Sequence, residues 1–365
     1  MDRKIVTIIG LGLIGGSVAK ALSARNSGYR VYAVEKREES IKQAVKEGTI
    51  ADGSEVWTSD MDASSLVIIC TPVGAAKQWL KFLAGRVAPG CIISDVGSTK
   101  AEMTEFADSL EGDFCFVGAH PMSGSEKSGY AAAREGLFEN TYYVLTPSVK
   151  SAPWAVEDMT AFAKRLGAIP VEMSALAHDR AVAAVSHVPH ILSAAMIHTA
   201  DRMDEQNPIY HLAAGGFRDV TRIAASDPVM WRDICLANKE QISKVTKILI
   251  EQLATFQKEL EGGSAEQLQD FFAEAKQSRD RLPQKAVALM PRTFELVLDI
   301  PDRVGVIAEI AAVLGKAQIN MKNIYVANSR EFYGGVLVIS LDSGADLRKA
   351  ELSLSQAGFE IRGIG

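Results

Sequence analysis

The chain lacks most of the signals that would set it apart from an ordinary globular enzyme. It has four cysteines, Cys70, Cys91, Cys115 and Cys235, in 365 residues. None forms a CxxC pair, which argues against a zinc ribbon or a thioredoxin-like motif. Three of them sit in apolar, strand-like runs, so buried reduced thiols and a reducing cytoplasm are expected. Basic blocks are missing too. Lys and Arg total 39 against 45 Asp and Glu, a formal net charge of -6. A nucleic-acid partner is therefore not expected, although a local pocket can still be positive for a small anion. No apolar run approaches the ~18 residues needed to span a bilayer, so no membrane partner is expected. Arg3 and Lys4, then the run Ile5 to Gly16, then Ser17-Val18-Ala19, imitate a signal peptide. The glycines inside that run suit a different purpose.

Hydrophobic residues make up 47% of the chain and charged residues 23%, a balance that argues against long disorder. At roughly 150 residues per domain, the length predicts two or three domains.

Ile5-Val6-Thr7-Ile8-Ile9 is β-branched, too short for a helix and right for a buried parallel strand. Gly10, Gly12, Leu13, Ile14 and Gly15 follow within a GLGLIG fingerprint, then a helix from Ser17 to Arg25 and a second strand, Tyr29 to Val34, ending in Glu35. Gly10 permits the tight turn, Gly12 admits a pyrophosphate, and Gly15 lets the helix pack close to the strand. The helix amino terminus offers unpaired N–H groups to phosphate. Glu35 can accept the adenosine ribose hydroxyls and repels a 2′-phosphate, so NAD is the expected cofactor. Lys36 and Arg37 act in the opposite sense. A lone GxGxxG is weak, but strand, helix and terminal acid all fall in place here.

The alternation continues. Leu66 to Cys70 is a strand followed by Thr71-Pro72-Val73. Cys91 to Ser94 is followed by Asp95-Val96-Gly97-Ser98-Thr99-Lys100, and Phe114 to Val117 by Gly118-Ala119-His120-Pro121-Met122. Strands alternating with helices predict an α/β fold, a Rossmann-type doubly wound parallel sheet. Ligands of such sheets sit beyond the carboxyl ends of the strands, which would gather Thr71, Pro72, Ser98 and His120 near the nicotinamide. A strand–helix–strand extension is expected to close this domain near Met173.

From Ala175 to about Lys276 the periodicity is helical, with Ile242, Val245, Ile248, Leu249, Leu253 and Phe256 at 3-to-4 spacing. An all-helical second domain, making a dimer interface, is expected. Two clusters stand out within it: Ser186-His187-Val188-Pro189-His190, and Gly215 to Arg222 followed by Ser226-Asp227-Pro228 and Trp231. A metal site rivals substrate contact for His187 and His190, but Pro189 between them disfavours a regular helix interior and no acid or thiol lies close by. No metal is expected. Arg222, with its glycine-rich lead-in and apolar neighbours, is expected to be a buried anion-binding residue.

Taken together, the Gly10 fingerprint, Asp95 to Lys100, Gly118 to Glu126, the His187/His190 pair and the Gly215 to Trp231 block resemble the prephenate dehydrogenase family, from the first strand to about Met290. The resemblance implies roles. His120 would take the proton of the substrate 4-hydroxyl, and Ser98 would orient both. Arg222 would bind a carboxylate, with His190 near the other end of the substrate and His187 beside it. Glu126, next to Ser125, and Arg218 would face each other at the pocket mouth, and Trp231 would wall the pocket. Many members carry Lys where Arg218 stands, so the charge survives while the geometry differs. The nearest alternative is arogenate dehydrogenase, and a different class is a non-catalytic dinucleotide and amino-acid sensor. His120, Ser98 and Arg222 together argue against the sensor, which needs no proton acceptor.

Leu282-Pro283 to Pro291 reads as a linker. The remaining elements run strand, helix, strand, strand, helix, strand, a ferredoxin-like βαββαβ order. This segment resembles an ACT domain, a regulatory module that binds amino acids at paired interfaces. Gly305 and Asn320 match its usual ligand-facing positions, and L-tyrosine is the expected inhibitor. The expected division is residues 1–173, 174–290 and 293–365.

Overall fold

The β-branched runs become strands, and the Ala- and Leu-rich stretches between them become helices. The computed structural model describes residues 4–25, 28–124, 127–203, 208–281, 294–301, 303–327, 334–341 and 343–364. By internal contacts the chain divides into Met1–Leu282 and Pro283–Gly365.

The first unit opens with β1 (Lys4–Ile9), α1 (Leu13–Ala24), β2 (Tyr29–Val34), α2 (Glu38–Lys46) and β3 (Asp52–Ser54). Next come β4 (Leu66–Ile69), α3 (Val73–Ala84), β5 (Cys91–Asp95), α4 (Ala101–Ser109) and β6 (Phe114–Pro121). β7 (Tyr142–Pro147), α5 (Pro153–Arg165) and β8 (Ile169–Glu172) complete one sheet, in the order β3-β2-β1-β4-β5-β6-β7-β8. Val6, Ile8, Leu22, Val117 and Phe162 pack in the core on one side of it, and Ile9, Val67, Leu80, Ile93 and Phe116 in the core on the other. Each such side chain contributes roughly 1.5–3 kcal/mol by leaving water.

The expected parallel sheet is parallel as far as β6. β7 then runs antiparallel to β6, and β8 parallel to β7. Among the described residues between β6 and β7 there is no long crossover helix, and a parallel return needs one. This pairing also corrects the end of β6. The strand continues past Val117 because Gly118 pairs with Thr146 and His120 with Val144. His120 therefore stands on the strand, one residue from its end, instead of in the loop beyond it.

The helical part comprises α6 (Ala175–Val182), α7 (Val188–Met203), α8 (Pro208–His211), α9 (Gly215–Thr221), α10 (Pro228–Ala237), α11 (Lys239–Glu261) and α12 (Ala265–Asp280). A π-helical turn, Ala183–His187, joins α6 to α7. Pro189 follows two residues after this turn, inside the helical run, where the π-turn already departs from regular α-helical bonding. The continuous run Ala175–Met203 has a mean hydropathy of 1.3 over 18 residues, long and apolar enough by length and composition to cross a membrane. That departs from the absence expected above. Its buried His178, Asp179 and His187 hydrogen-bond to neighbouring elements. The expected pattern from Ile242 to Phe256 does form α11, but Ile242 alone of it is buried, and Ile248 and Leu253 are exposed along with Phe272 of α12.

The second unit is β9 (Phe294–Pro301), α13 (Val306–Lys316), β10 (Met321–Ala327), β11 (Gly334–Leu341), α14 (Gly344–Gln356) and β12 (Glu360–Ile364). Its antiparallel sheet has the order β10-β11-β9-β12, with Leu298, Ile310, Leu337 and Leu354 in its core. This is the ferredoxin-like, ACT-like arrangement. Gly305 caps α13 at φ +90°, a conformation that costs a residue with a Cβ about 1–2 kcal/mol. Asn320 is exposed immediately before β10.

Candidate active site

The turn after β1 is shaped by its glycines. Gly10 sits at φ +97° and its N–H donates to Val34 O at 2.8 Å. A Cβ on Gly15 would lie 2.0 Å from Gly10 O, so only glycine lets α1 approach β1 this closely. Gly12 differs: a Cβ there would meet nothing within 4 Å. Gly12 caps α1 without a side-chain hydrogen bond, which leaves the Leu13 and Ile14 amides at the positive end of the helix without an intrahelical acceptor. Glu35 stands at the end of β2. Its Oε2 accepts from Leu11 N–H at 2.7 Å and its Oε1 from Arg37 N–H at 3.0 Å. Arg37 Nε lies 3.7 Å from the same carboxylate, while Lys36 is exposed. Beyond β4, Thr71 Oγ1 is buried and has no hydrogen-bond partner among the described residues, and Pro72 caps α3. Open space at Gly12, orphan amides on α1 and an orphan hydroxyl at Thr71 fit a dinucleotide.

At the same edge of the sheet, β6 presents His120. Its Nδ1 lies 2.8 Å from His178 Nε2, and His178 Nδ1 lies 2.8 Å from Asp179 Oδ1. Asp179 accepts from the Lys100 and Ala101 backbone N–H groups, each at 2.8 Å. The Lys100 ammonium is fully buried, paired with Asp95, and donates to Ala119 O at 2.8 Å, beside His120. Burial holds Lys100 below the ordinary lysine range, against the opposing pull of Asp95. Burial also holds the His120 imidazole well below its ordinary range, helped by His178, Lys100 and His187. Ser98 is half-buried in the loop between β5 and α4, off the strand next to β6.

The π-turn and α7 add His187 and His190. His187 is buried, and its Nδ1 accepts from Asn238 Nδ2 at 3.2 Å. Burial pushes its pKa down to about 4, with Asp179 pulling the other way. His190 donates from Nδ1 to Ser186 O at 2.9 Å and stacks on Trp231 with ring centroids 4.0 Å apart. Trp231 Nε1 is buried and has no partner among the described residues. Arg218 on α9 is exposed and donates from Nε to Ala213 O at 3.0 Å.

Arg222 is exposed in the single chain, which corrects the buried setting expected for it. It opens a 3-10 turn, Arg222–Ala225, that packs against α7 and α9 and has no fully buried residue. Ser125 and Glu126 lie outside the described residues. The sequence reasoning passed over His178, Asp179 and Asn238, and it used Lys100 only as part of a motif. The available signal was a His-Asp pair in the first turns of an otherwise Ala-rich helix.

Comparison with known proteins adds the family. Residues 18–172 match the prephenate dehydrogenase nucleotide-binding domain and residues 174–274 the prephenate dehydrogenase dimerization domain. The chain is 40% identical over 352 residues to prephenate dehydrogenase of Bacillus subtilis, covering 96% of this chain and 95% of that one. It is 34% identical to prephenate dehydrogenase of Lactococcus lactis, covering 97% and 98%. A crystal structure of prephenate dehydrogenase from Aquifex aeolicus in complex with hydroxyphenyl propionate and NAD+ superposes with a TM-score of 0.72 at 30% identity, covering 78% of this chain and 99% of that one. With more than half its length matched to the two domain models and this identity to its relatives, the chain belongs to the prephenate dehydrogenase family.

Proposed function

We propose that the chain catalyses the NAD-dependent oxidative decarboxylation of prephenate to 4-hydroxyphenylpyruvate. The observation that carries this reading is His120, a half-buried imidazole with a lowered pKa at the sheet edge that also bears the glycine turn. NAD, when bound, accepts the hydride. The glycine turn, the α1 amides and Thr71 would hold it, with Glu35 taking the adenosine ribose. His120 is neutral at neutral pH and accepts the 4-hydroxyl proton as the hydride leaves the same carbon. Ser98 orients that hydroxyl. Arg222 holds a substrate carboxylate, and His187, His190 and Trp231 line the far side, where Trp231 Nε1 is a donor awaiting an acceptor. Aromatisation of the ring drives loss of the carboxylate as carbon dioxide, so the protein supplies positioning, one base and charge complementarity.

The test is to mix the protein with prephenate or arogenate and with NAD or NADP, and to follow reduced-cofactor absorbance. Prephenate with NAD should turn over fastest. Faster turnover of arogenate would move the chain to the sister activity, and no turnover of either would leave the sensor reading.

Glu35→Ser should narrow the NAD preference by about tenfold, a change of ~1.4 kcal/mol, because the repulsion of a 2′-phosphate is gone and Lys36 and Arg37 remain. Initial rates with each cofactor check this. A wild-type preference for NADP would sink the assignment of Glu35.

The division into residues 1–173, 174–290 and 293–365 belongs to the same reading, as does a cytoplasmic homodimer. The dimerization-domain description of residues 174–274 and the exposed apolar residues of α11 and α12 support the dimer. The carboxyl-terminal unit reports L-tyrosine to the dehydrogenase. In its support, the unit is separate by its contacts, and Gly305 and Asn320 stand exposed at its strand-to-helix and helix-to-strand turns. Couplings of this kind are typically ~1–3 kcal/mol. Asn320→Ala should therefore weaken tyrosine inhibition without changing kcat, and a chain ending at Met290 should turn over yet resist tyrosine. Undiminished inhibition of the shortened chain would place tyrosine in the active site.

A further inference from the structure

Behind His120 runs a chain of hydrogen bonds whose direction can be worked out from its far end. Asp179 accepts from the backbone N–H groups of Lys100 and Ala101. These amides open α4, where the helix has no acceptor of its own to offer them and its dipole favours a negative group. A carboxylate held in this way offers only lone pairs to its next neighbour. His178 must then donate from Nδ1 across the 2.8 Å to Asp179 Oδ1, and as a neutral ring it presents a bare Nε2. That nitrogen lies 2.8 Å from His120 Nδ1. His120 must donate in turn, and its own Nε2 is left bare.

We propose that the His178–Asp179 pair, anchored on the amino terminus of α4, fixes His120 in the tautomer whose Nε2 carries no proton. A positive charge forms on His120 when Nε2 takes the proton of the substrate hydroxyl. His178 and Asp179 are positioning residues that act through His120, and the inference rests on His120 being the base.

The alternative tautomer would be inert, because a ring with its proton on Nε2 cannot accept another there. The order matters because the charge is transient. The hydroxyl O–H bond breaks and its proton passes to His120 Nε2, while the carbon–hydrogen bond electrons leave as hydride. The bond to the ring carboxylate then breaks, carbon dioxide departs, and its electron pair completes the aromatic ring. The proton returns from His120 to the phenolic oxygen. No proton is gained or lost overall, and no oxidant other than the nicotinamide is needed. The Ser-His-Asp arrangement of hydrolases uses the same logic, with an acid residue that fixes a tautomer without itself taking the proton.

The full-length protein, labelled with 15N in its histidine rings, tests this directly by long-range proton–nitrogen correlation. The His120 ring, assigned by its loss in His120→Asn, should show a protonated Nδ1 and a bare Nε2. His178→Phe should scramble that tautomer and lower kcat about 10²-fold, with the KM for prephenate and NAD binding within about twofold of wild type. His178→Gln, which restores an acceptor, should recover part of the loss. A wild-type His120 protonated on Nε2 overturns the proposal even if the Phe variant does not fold. It is also overturned by a normal kcat in His178→Phe beside a crippled His120→Asn. A normal kcat in His120→Asn instead removes the base assignment itself.

Discussion

His120→Asn should lower kcat by ~10² to 10⁴, the usual contribution of a positioned proton acceptor. Asn keeps a polar group of similar reach but has no nitrogen that can take the proton. NAD binding should barely change, because the glycine turn and α1 follow β1 and Glu35 follows β2, away from β6 in the sheet order. The KM for prephenate should change little, since the hydroxyl end of the substrate is not where its charges lie. Steady-state kinetics with prephenate, together with a binding titration of NAD, measure both. A variant with near-normal kcat would remove His120 from the base role.

Arg222→Gln should act in the opposite way, raising the KM for prephenate about 10- to 100-fold and changing kcat less. A guanidinium can grip a carboxylate through two parallel hydrogen bonds, and glutamine keeps neither the charge nor the fork. Exposed ion pairs are worth ~0.2–1 kcal/mol and buried hydrogen-bonded ones ~2–5 kcal/mol when one partner is truncated. Arg222 is exposed in the chain, so if it holds the carboxylate the loss should fall between these limits, at ~1.4–2.8 kcal/mol. Unchanged KM would move the carboxylate site elsewhere, with Arg218, on the preceding helix, next to be tested.

The dinucleotide turn was legible because each of its glycines answers a separate local demand: the positive φ at Gly10, the open space at Gly12 and the close approach at Gly15. The carboxyl-terminal unit was legible for a similar reason, since its short strands and helices alternate in an order that allows few topologies. β6 was cut short because its last residues owe their extended state to β7, some twenty residues later, and an antiparallel partner leaves no mark on local periodicity. Arg222 was misjudged from apolar neighbours, which show that a segment packs without showing which side of it does. His178 and Asp179 stayed hidden for a stronger reason. Their partners, His120 and the first amides of α4, lie some 60 to 80 residues earlier in the chain, and the packing of α6 against α4 and β7 brings them together.

The most direct test of the base assignment is the pH dependence of kcat/KM for prephenate in the wild type and in His120→Asn. His178, Lys100 and His187 face His120, with Asp179 and Asp95 behind them. Burial is the main cause that lowers the His120 pKa, and only the neutral ring can accept a proton. Activity should therefore be full above that pKa and fall as the pH drops through it. The expected result is an acidic limb below ~6.5, the ordinary imidazole value, that disappears in His120→Asn and leaves a low rate without that limb. An acidic limb that persists unchanged in His120→Asn would contradict the assignment.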